Sequence, residues 1–210
     1  MISSRALVAA AALLLSTSAI ACSSADANDA EQGEQAVSKA AAVTDAALQA
    51  ELTKLSAGLT FQSEADFPYE VVTSSAPLAA GQRVGGKVVR EAFQKLPSQE
   101  AGGKTLADMP DWEYRPIASF EADDPEDPEI DPELAKAFAA FDKVRASLLK
   151  NLTNVKVIRF GKKELVTSGA QKGKPSRFVS GVQGQVQIFI VGRSKSSGKI
   201  IGIRTLAIET

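Results

Sequence analysis

Few side chains in this sequence of 210 residues are suited to chemistry. It contains no histidine, so the commonest general base and the commonest zinc ligand are missing. The segment GQRVGGK has neither the glycine spacing nor the Lys-Ser/Thr pair of a P-loop. Carboxylates are left, and Glu64 with Asp66 or Glu70 are candidate acid–base pairs of the kind that glycoside hydrolases use. Acids in loops are more often simply solvated, so we expect no enzymatic activity.

Two charged segments are candidate binding sites, although we expect both to be solvated. Residues 121–133 hold eight acids and three prolines. A calcium loop and a mimic of nucleic-acid phosphate are two interpretations, but the glycine and ligand spacing of an EF-hand are missing, and we expect a solvated insertion. Residues 162–177 are basic and contain glycine; we expect a solvated loop, with attraction to an anionic surface as the alternative. The formal net charge of −1 gives no indication of direct nucleic-acid binding.

The beginning of the chain has the pattern of an export signal. One cation, Arg5, precedes an apolar stretch from Ala6 to Leu15, which is shorter than the roughly 20 residues that a bilayer requires. Ala19 and Ala21 before Cys22 resemble the lipobox of bacterial lipoproteins, in which the cysteine is acylated and becomes the first mature residue. The alternative is an ordinary signal peptide followed by a free thiol, which is a liability outside the cytoplasm.

Composition divides the chain into three parts. Residues 1–21 are the expected lipoprotein signal peptide. Residues 22–43 are small, polar and acidic without aromatic side chains, which predicts a flexible tether. Residues 44–210 have the length of one domain. We therefore expect a domain anchored by a lipid on Cys22 in the cell envelope, at the outer membrane or in the periplasm if the host is Gram-negative.

Three segments of this domain have helical patterns. Thr44 suits the N-cap of a helix that ends before Gly58, since glycine tolerates the left-handed conformation after a helix end. A second helix is expected over Arg83–Leu96, although two glycines weaken its start. Asp131 as N-cap and Pro132 as first helical residue begin the third. Apolar residues recur at helical spacing in the first helix (Leu48, Leu52, Leu55 and Leu59) and in the third (Leu134, Phe138, Phe141, Leu148 and Leu152).

The other patterns predict strands. We expect a short strand near Tyr69–Thr73 and three longer ones over Val155–Phe160, Gln185–Gly192 and Lys199–Ile208, with the turn RSKSSG joining the last two as a hairpin. The last two strands have apolar residues on both faces, which is typical of a sheet covered on both sides. The sequence therefore predicts class α+β, with helices packed on a mostly antiparallel sheet.

Three blocks of the sequence resemble the nuclease A inhibitor family of bacterial proteins. They are Lys54–Val72, Phe141–Gly161 and Gly184–Thr210, and the short Asp111–Trp112 lies between the first two. The most specific parts are SEADFPYE in the first block and the terminal ET. The resemblance implies a three-layer α/β/α sandwich that binds and blocks a Mg²⁺-dependent, sugar-non-specific nuclease, with no cofactor of its own.

The resemblance also implies which residues bind the partner. In that family the last threonine reaches the nuclease's catalytic metal, a glutamate after the first helix engages active-site groups, and a tryptophan supports the contact. The matching positions are Thr210, Glu64 and Trp112, and Glu209 completes the terminal pair. The alternative function is a non-catalytic envelope-binding module of the same fold, with a different protein or a polymer as its partner.

Overall fold

A computed structural model of the chain describes residues 43–118, 120 and 132–209. The described residues fall in one compact unit, Ala40–Thr210. The expectations for the signal peptide, Cys22, the tether, most of the acidic segment and Thr210 lie outside the described residues. In the part of the chain that is described, no helix is both long enough and apolar enough to cross a membrane.

The helices are α1 (Asp45–Ser56), α2 (Gly86–Phe93) and α3 (Pro132–Asn151). The Thr44 hydroxyl accepts a hydrogen bond of 3.3 Å from the Ala47 amide, and Gly58 has a φ of 78°, so both predicted ends of the first helix are confirmed. Helix α2 is shorter than the expected Arg83–Leu96. Its N-cap, Gly85, is extended, and beyond Phe93 the chain leaves the helix in a tight turn before a proline.

The described residues form seven strands: β1 (Thr60–Phe61), β2 (Phe67–Pro68), β3 (Glu70–Pro77), β4 (Asp111–Arg115), β5 (Leu152–Gly161), β6 (Gln185–Ser194) and β7 (Lys199–Ile208). The short β1 and β2 pair with each other, and the others form one sheet in the order β3-β7-β6-β5-β4. All neighbours in this sheet are antiparallel, which confirms class α+β and the β6–β7 hairpin. Strand β4 was not predicted.

The central strands bury both of their faces. On β5, Val157 belongs to a core cluster that includes residues of α1 and α3, while Ile158 belongs to a second cluster that includes residues of α2. Successive strand residues point to opposite faces, and neither side chain is accessible to solvent. The expectation of a sheet covered on both sides is therefore confirmed for its central strands.

The antiparallel register gives the sheet two distinct ends. At one end the last residue of β7 lies beside the first of β6 (Ile208 and Gln185), and the last residue of β5 lies beside the first of β4 (Gly161 and Asp111). We call this the C-terminal end. At the opposite end a tight turn joins β6 to β7, and we call this the hairpin end.

Candidate functional site

The last described residues of the chain are hydrogen-bonded on both sides. The Ile208 amide donates to the Ser63 hydroxyl (3.1 Å), and the Ile208 carbonyl accepts from the Glu64 amide (3.3 Å). On the other side, the Glu209 amide donates to the Gly184 carbonyl (2.7 Å). These bonds hold the backbone at the end of β7 as firmly as a paired strand, so residues up to Glu209 project from the sheet in a defined direction.

The loop that carries Glu64 is itself fixed to β7. Its two sides pair as β1 and β2, with Phe61 opposite Phe67, and the Thr205 hydroxyl donates to the Phe67 carbonyl (3.2 Å). Within the loop, the Ser63 hydroxyl donates to the Ala65 carbonyl (2.7 Å), a local serine turn that competes with regular structure. The exposed Glu64 therefore lies beside the end of the chain, on a loop with little freedom to move away.

The side chain of Glu209 belongs to a row of alternating charges. It forms an ion pair with Arg159, and Arg159 also lies 3.4 Å from a carboxylate oxygen of Glu113. Glu113, with a side chain only 5% exposed, is in addition paired with Arg115 (2.9 Å) and accepts from the Val179 amide (2.8 Å). Because Arg159 bridges the two carboxylates, it fixes the direction of Glu209 while balancing the buried charge of Glu113.

A small depression lies next to this charge row. Its volume is about 220 Å³, and it combines apolar side chains with two guanidinium groups and one carboxylate. It is lined by Phe61, Arg115, Pro116, Phe120, Arg159, Ile188 and Glu209. Pockets with an apolar lining and a few placed polar groups suit the insertion of a partner's side chain. In the described part of the chain, no group of three or more His, Cys, Asp or Glu residues has the geometry to hold a metal ion.

Trp112 lies at the same end of the sheet but on the opposite face. Its half-buried ring packs under α2, where a Cβ built on Gly86 would lie 2.3 Å from ring atoms, and the Arg90 guanidinium lies 4.9 Å from the ring centroid. The next residue, Glu113, points to the face of Arg159 because strand side chains alternate. The structure therefore does not bring Trp112 together with Glu64, so the predicted role of Trp112 in partner binding requires a partner that reaches both faces of the sheet.

Of the expected partner-binding residues, the structure brings Glu64 and Glu209 to one place, whereas Thr210 lies outside the described residues. Ser63 and Arg159, which position these two acids, were missed by sequence reasoning. The sequence did hold a signal for Arg159, which is the one cation in the apolar run VIRF. Because buried charges are almost always paired, a cation in such a run indicates a nearby acid. Comparison of the chain with models of known protein families finds no match, and comparison with curated proteins finds none either.

Proposed function

We propose that this protein is a lipid-anchored inhibitor of a Mg²⁺-dependent, sugar-non-specific nuclease, with no catalytic activity or cofactor of its own. It blocks the nuclease active site with Glu64 and Thr210, the last residue of the sequence. The observation that carries the proposal is the pair of hydrogen bonds that joins the Glu64 loop to Ile208. Two segments 145 residues apart in sequence thereby present an acid and the end of a strand at one place.

The chemistry of these residues suits an active-site plug. Thr210 follows Glu209, whose amide and side chain are both held, and it supplies a hydroxyl oxygen. Mg²⁺ prefers hard oxygen ligands, so the Mg²⁺ ion of the nuclease suits coordination by an oxygen of Thr210. The Glu64 carboxylate takes the place of a substrate phosphate opposite an arginine of the nuclease. Because the Glu64 loop and Glu209 are already positioned, little of their conformational entropy is lost on binding.

The remaining parts of the proposal concern the anchor and the layers. A lipid on Cys22 holds the domain in the cell envelope, where the inhibitor meets a secreted or incoming nuclease. The domain is a three-layer sandwich, with α1 and α3 on one face of the sheet and α2 on the other. What supports the layers is the division of the buried side chains into two clusters, each with residues from different helices.

An inhibition assay tests the proposal. The purified chain, mixed with a sugar-non-specific nuclease in Mg²⁺ buffer, is expected to stop DNA cleavage at about equimolar amounts. Removing Thr210 alone is expected to weaken inhibition roughly 100-fold, and Glu64→Ala roughly 30-fold, because a central interface contact contributes about 2 kcal/mol or more. Glu51→Ala is the matched control: it removes one exposed acid from α1 and should change inhibition less than twofold.

Two results would separate the parts of the proposal. Full nuclease activity in the presence of excess protein would contradict the inhibitor function and favour the envelope-binding module. Unchanged inhibition after removal of Thr210 and after Glu64→Ala would leave inhibition standing but rule out the plug. A panel of several metal-dependent nucleases then identifies the class of target.

A further inference from the structure

The hairpin end of the sheet carries a strong excess of positive charge. We define it by residues 43–45, 77–87, 149–154 and 193–199, which the contacts between Leu78 and Gly198 and between Val84 and Asn154 hold together. Within these ranges there is one acid, Asp45. The cations in the same ranges are Arg83, Lys87, Lys150, Arg193, Lys195 and Lys199.

Most of this charge is not neutralised within the described structure. The one acid, Asp45, accepts hydrogen bonds from the hydroxyls of Ser194 (2.6 Å) and Ser196 (2.7 Å). Arg83, Lys87 and Lys150 are exposed, and none of the three forms an ion pair with another described residue. A cluster of unpaired cations raises the local concentration of anions and favours an anionic partner.

A depression at this end is suited to a phosphate group. It has a volume of about 340 Å³ and is lined by Gly81, Gln82, Arg83, Val84, Thr153, Asn154 and Arg193. The two arginines stand on different segments, one on the loop before α2 and the other near the end of β6. Guanidinium groups recognise phosphate through paired N–H donors, and Asn154, whose side-chain amide donates to the Val84 carbonyl, holds the loop of Arg83 against β5.

An exposed apolar side chain lies beside these cations. Leu149 is 49% exposed and precedes Lys150 in the last turn of α3. A single exposed leucine is common on protein surfaces, but an apolar side chain next to a lysine has the chemistry of surfaces that lie on lipid head groups. A nucleic acid would use the cations but has no comparable use for an exposed aliphatic side chain.

The position where the tether joins the domain favours the same partner. Thr44 caps α1, and the next residue, Asp45, is bonded to the turn between β6 and β7, so residues 22–43 join the domain at the hairpin end. A lipid on Cys22 cannot be farther from Val43 than about 75 Å, the length of a fully extended chain. This step rests on the proposed anchor.

From these observations we infer that the hairpin end is a docking surface for anionic phospholipids. Arg83, Lys87 and Lys150 contact the phosphate groups, and Leu149 enters the head-group region. The C-terminal end of the sheet, with Glu64, then faces away from the membrane, toward a soluble partner. The surface orients an anchored protein that a tether alone would leave free to rotate.

Vesicle binding tests the inference without the lipid anchor. The mature form, residues 22–210 with Cys22→Ser, is mixed with vesicles of phosphatidylcholine, or of phosphatidylcholine with phosphatidylglycerol, and bound protein is measured by sedimentation. We expect binding to the anionic vesicles only, and its loss at high salt. The triple variant Arg83→Gln, Lys87→Gln and Lys150→Gln should bind roughly 100-fold more weakly, and Leu149→Gln should bind several-fold more weakly.

A second triple variant controls for net charge. Lys54→Gln, Lys143→Gln and Lys172→Gln remove three exposed cations outside the hairpin end, and we expect less than a threefold change in vesicle binding. Equal losses in the two triple variants, equal binding to both kinds of vesicle, or tighter binding to a single-stranded oligonucleotide would overturn the inference. Circular dichroism melting identifies any variant that has lost its fold.

The same proteins keep this inference separate from the proposed function. The hairpin-end triple variant should inhibit the nuclease in solution within threefold of the unchanged protein, since its substitutions lie at the opposite end of the sheet from Glu64. Vesicle binding without nuclease inhibition would contradict the inhibitor proposal and leave the docking surface standing. Inhibition without vesicle binding would overturn the docking surface alone.

Discussion

Strand β7 begins at the hairpin end and ends at the C-terminal end, and a serine holds it at each end in the same way. Ser74 accepts from the Ile200 amide (3.0 Å) and donates to a carbonyl two residues on (2.7 Å). Ser63 accepts from the Ile208 amide (3.1 Å) and likewise donates to the carbonyl two residues on (2.7 Å). The two ends of β7 therefore have the same kind of hydrogen-bonded support. They differ in how their charged side chains are paired.

The charges are used in opposite ways. At the C-terminal end Arg159 is committed to Glu113 and Glu209, so the ion pairs fix the side chain of Glu209. At the hairpin end Arg193 has no ion pair with any described residue, so its charge is available to an outside anion. Paired charges shape a site, whereas unpaired charges attract a partner. The following variants test this difference between the two ends.

The largest expected effect comes from replacing Arg159 at the C-terminal end, and Arg193 at the hairpin end serves as its control. Arg159→Met leaves the buried carboxylate of Glu113 with one partner fewer, and we expect the free energy of unfolding to fall by about 3 kcal/mol, as for a buried pair that loses one member. Arg193→Met, the matched control on β6, should change it by less than about 0.5 kcal/mol. Urea unfolding measures both. Similar losses from the two variants would remove the distinction between paired and unpaired charges.

The two serines give a sharper comparison, because their stability effects should match while their functional effects differ. Ser63→Ala and Ser74→Ala each leave one amide of β7 without its acceptor, and each should cost about 1.5 kcal/mol of unfolding free energy. Only Ser63→Ala loosens the loop of Glu64, so it should weaken nuclease inhibition roughly tenfold, while Ser74→Ala should leave inhibition unchanged. Equal inhibition by the two variants would show that the Glu64 loop is not part of the site.

The local elements of this fold follow from the sequence. Helical spacing of leucines and the cap at Thr44 predict α1, and the turn RSKSSG between two apolar runs predicts the β6–β7 hairpin. Strand β4 has five residues, DWEYR, in which charged and aromatic side chains alternate, so the sequence contained a short period-2 signal that sequence reasoning missed. It forms a strand because it pairs with β5, where Glu113 lies opposite Arg159 and forms an ion pair with it.

The site itself depends on contacts between distant segments, which a sequence pattern does not show. The Ser-x-Ala pattern occurs both at Ser63 and at Ser74, but nothing near either serine indicates which amide of β7 its hydroxyl accepts from. Similarly, the type of residue at Trp112 suggested an interface, whereas the face to which it points is fixed by the register of β4 on β5. A register shift of one residue would turn the Trp112 side chain to the opposite face of the sheet.

The position of Trp112 predicts a smaller effect at the C-terminal end. Trp112→Phe keeps an aromatic ring under α2 but is smaller, so we expect a loss of about 1 kcal/mol in unfolding free energy. Because the ring lies on the opposite face from Glu64 and Glu209, inhibition should weaken by less than threefold. A nuclease titration measures this. A loss as large as that of Glu64→Ala would mean that the partner wraps around β4 and contacts both faces.

The smallest effect is a pH dependence at the hairpin end. Although burial opposes it, hydrogen bonds from Ser194, Ser197 and Ser196 lower the pKa of Asp45 below its usual value of 3.8. A carboxylate with a lowered pKa stabilises the fold above pH 3.8, and this contribution is lost as the pH falls through the folded-state pKa. We expect less than about 1 kcal/mol, since the group is partly exposed to solvent.

Asp45→Asn tests this contribution, because the amide does not titrate. Unfolding free energies of the two proteins measured between pH 7 and pH 3 should differ by a constant amount down to about pH 4 and converge below it. A constant difference over the whole range would mean that the serine hydroxyls stabilise the carboxyl group equally in both protonation states. Asp45 would then join α1 to the hairpin by its hydrogen bonds alone, and its negative charge would not offset the cations around it.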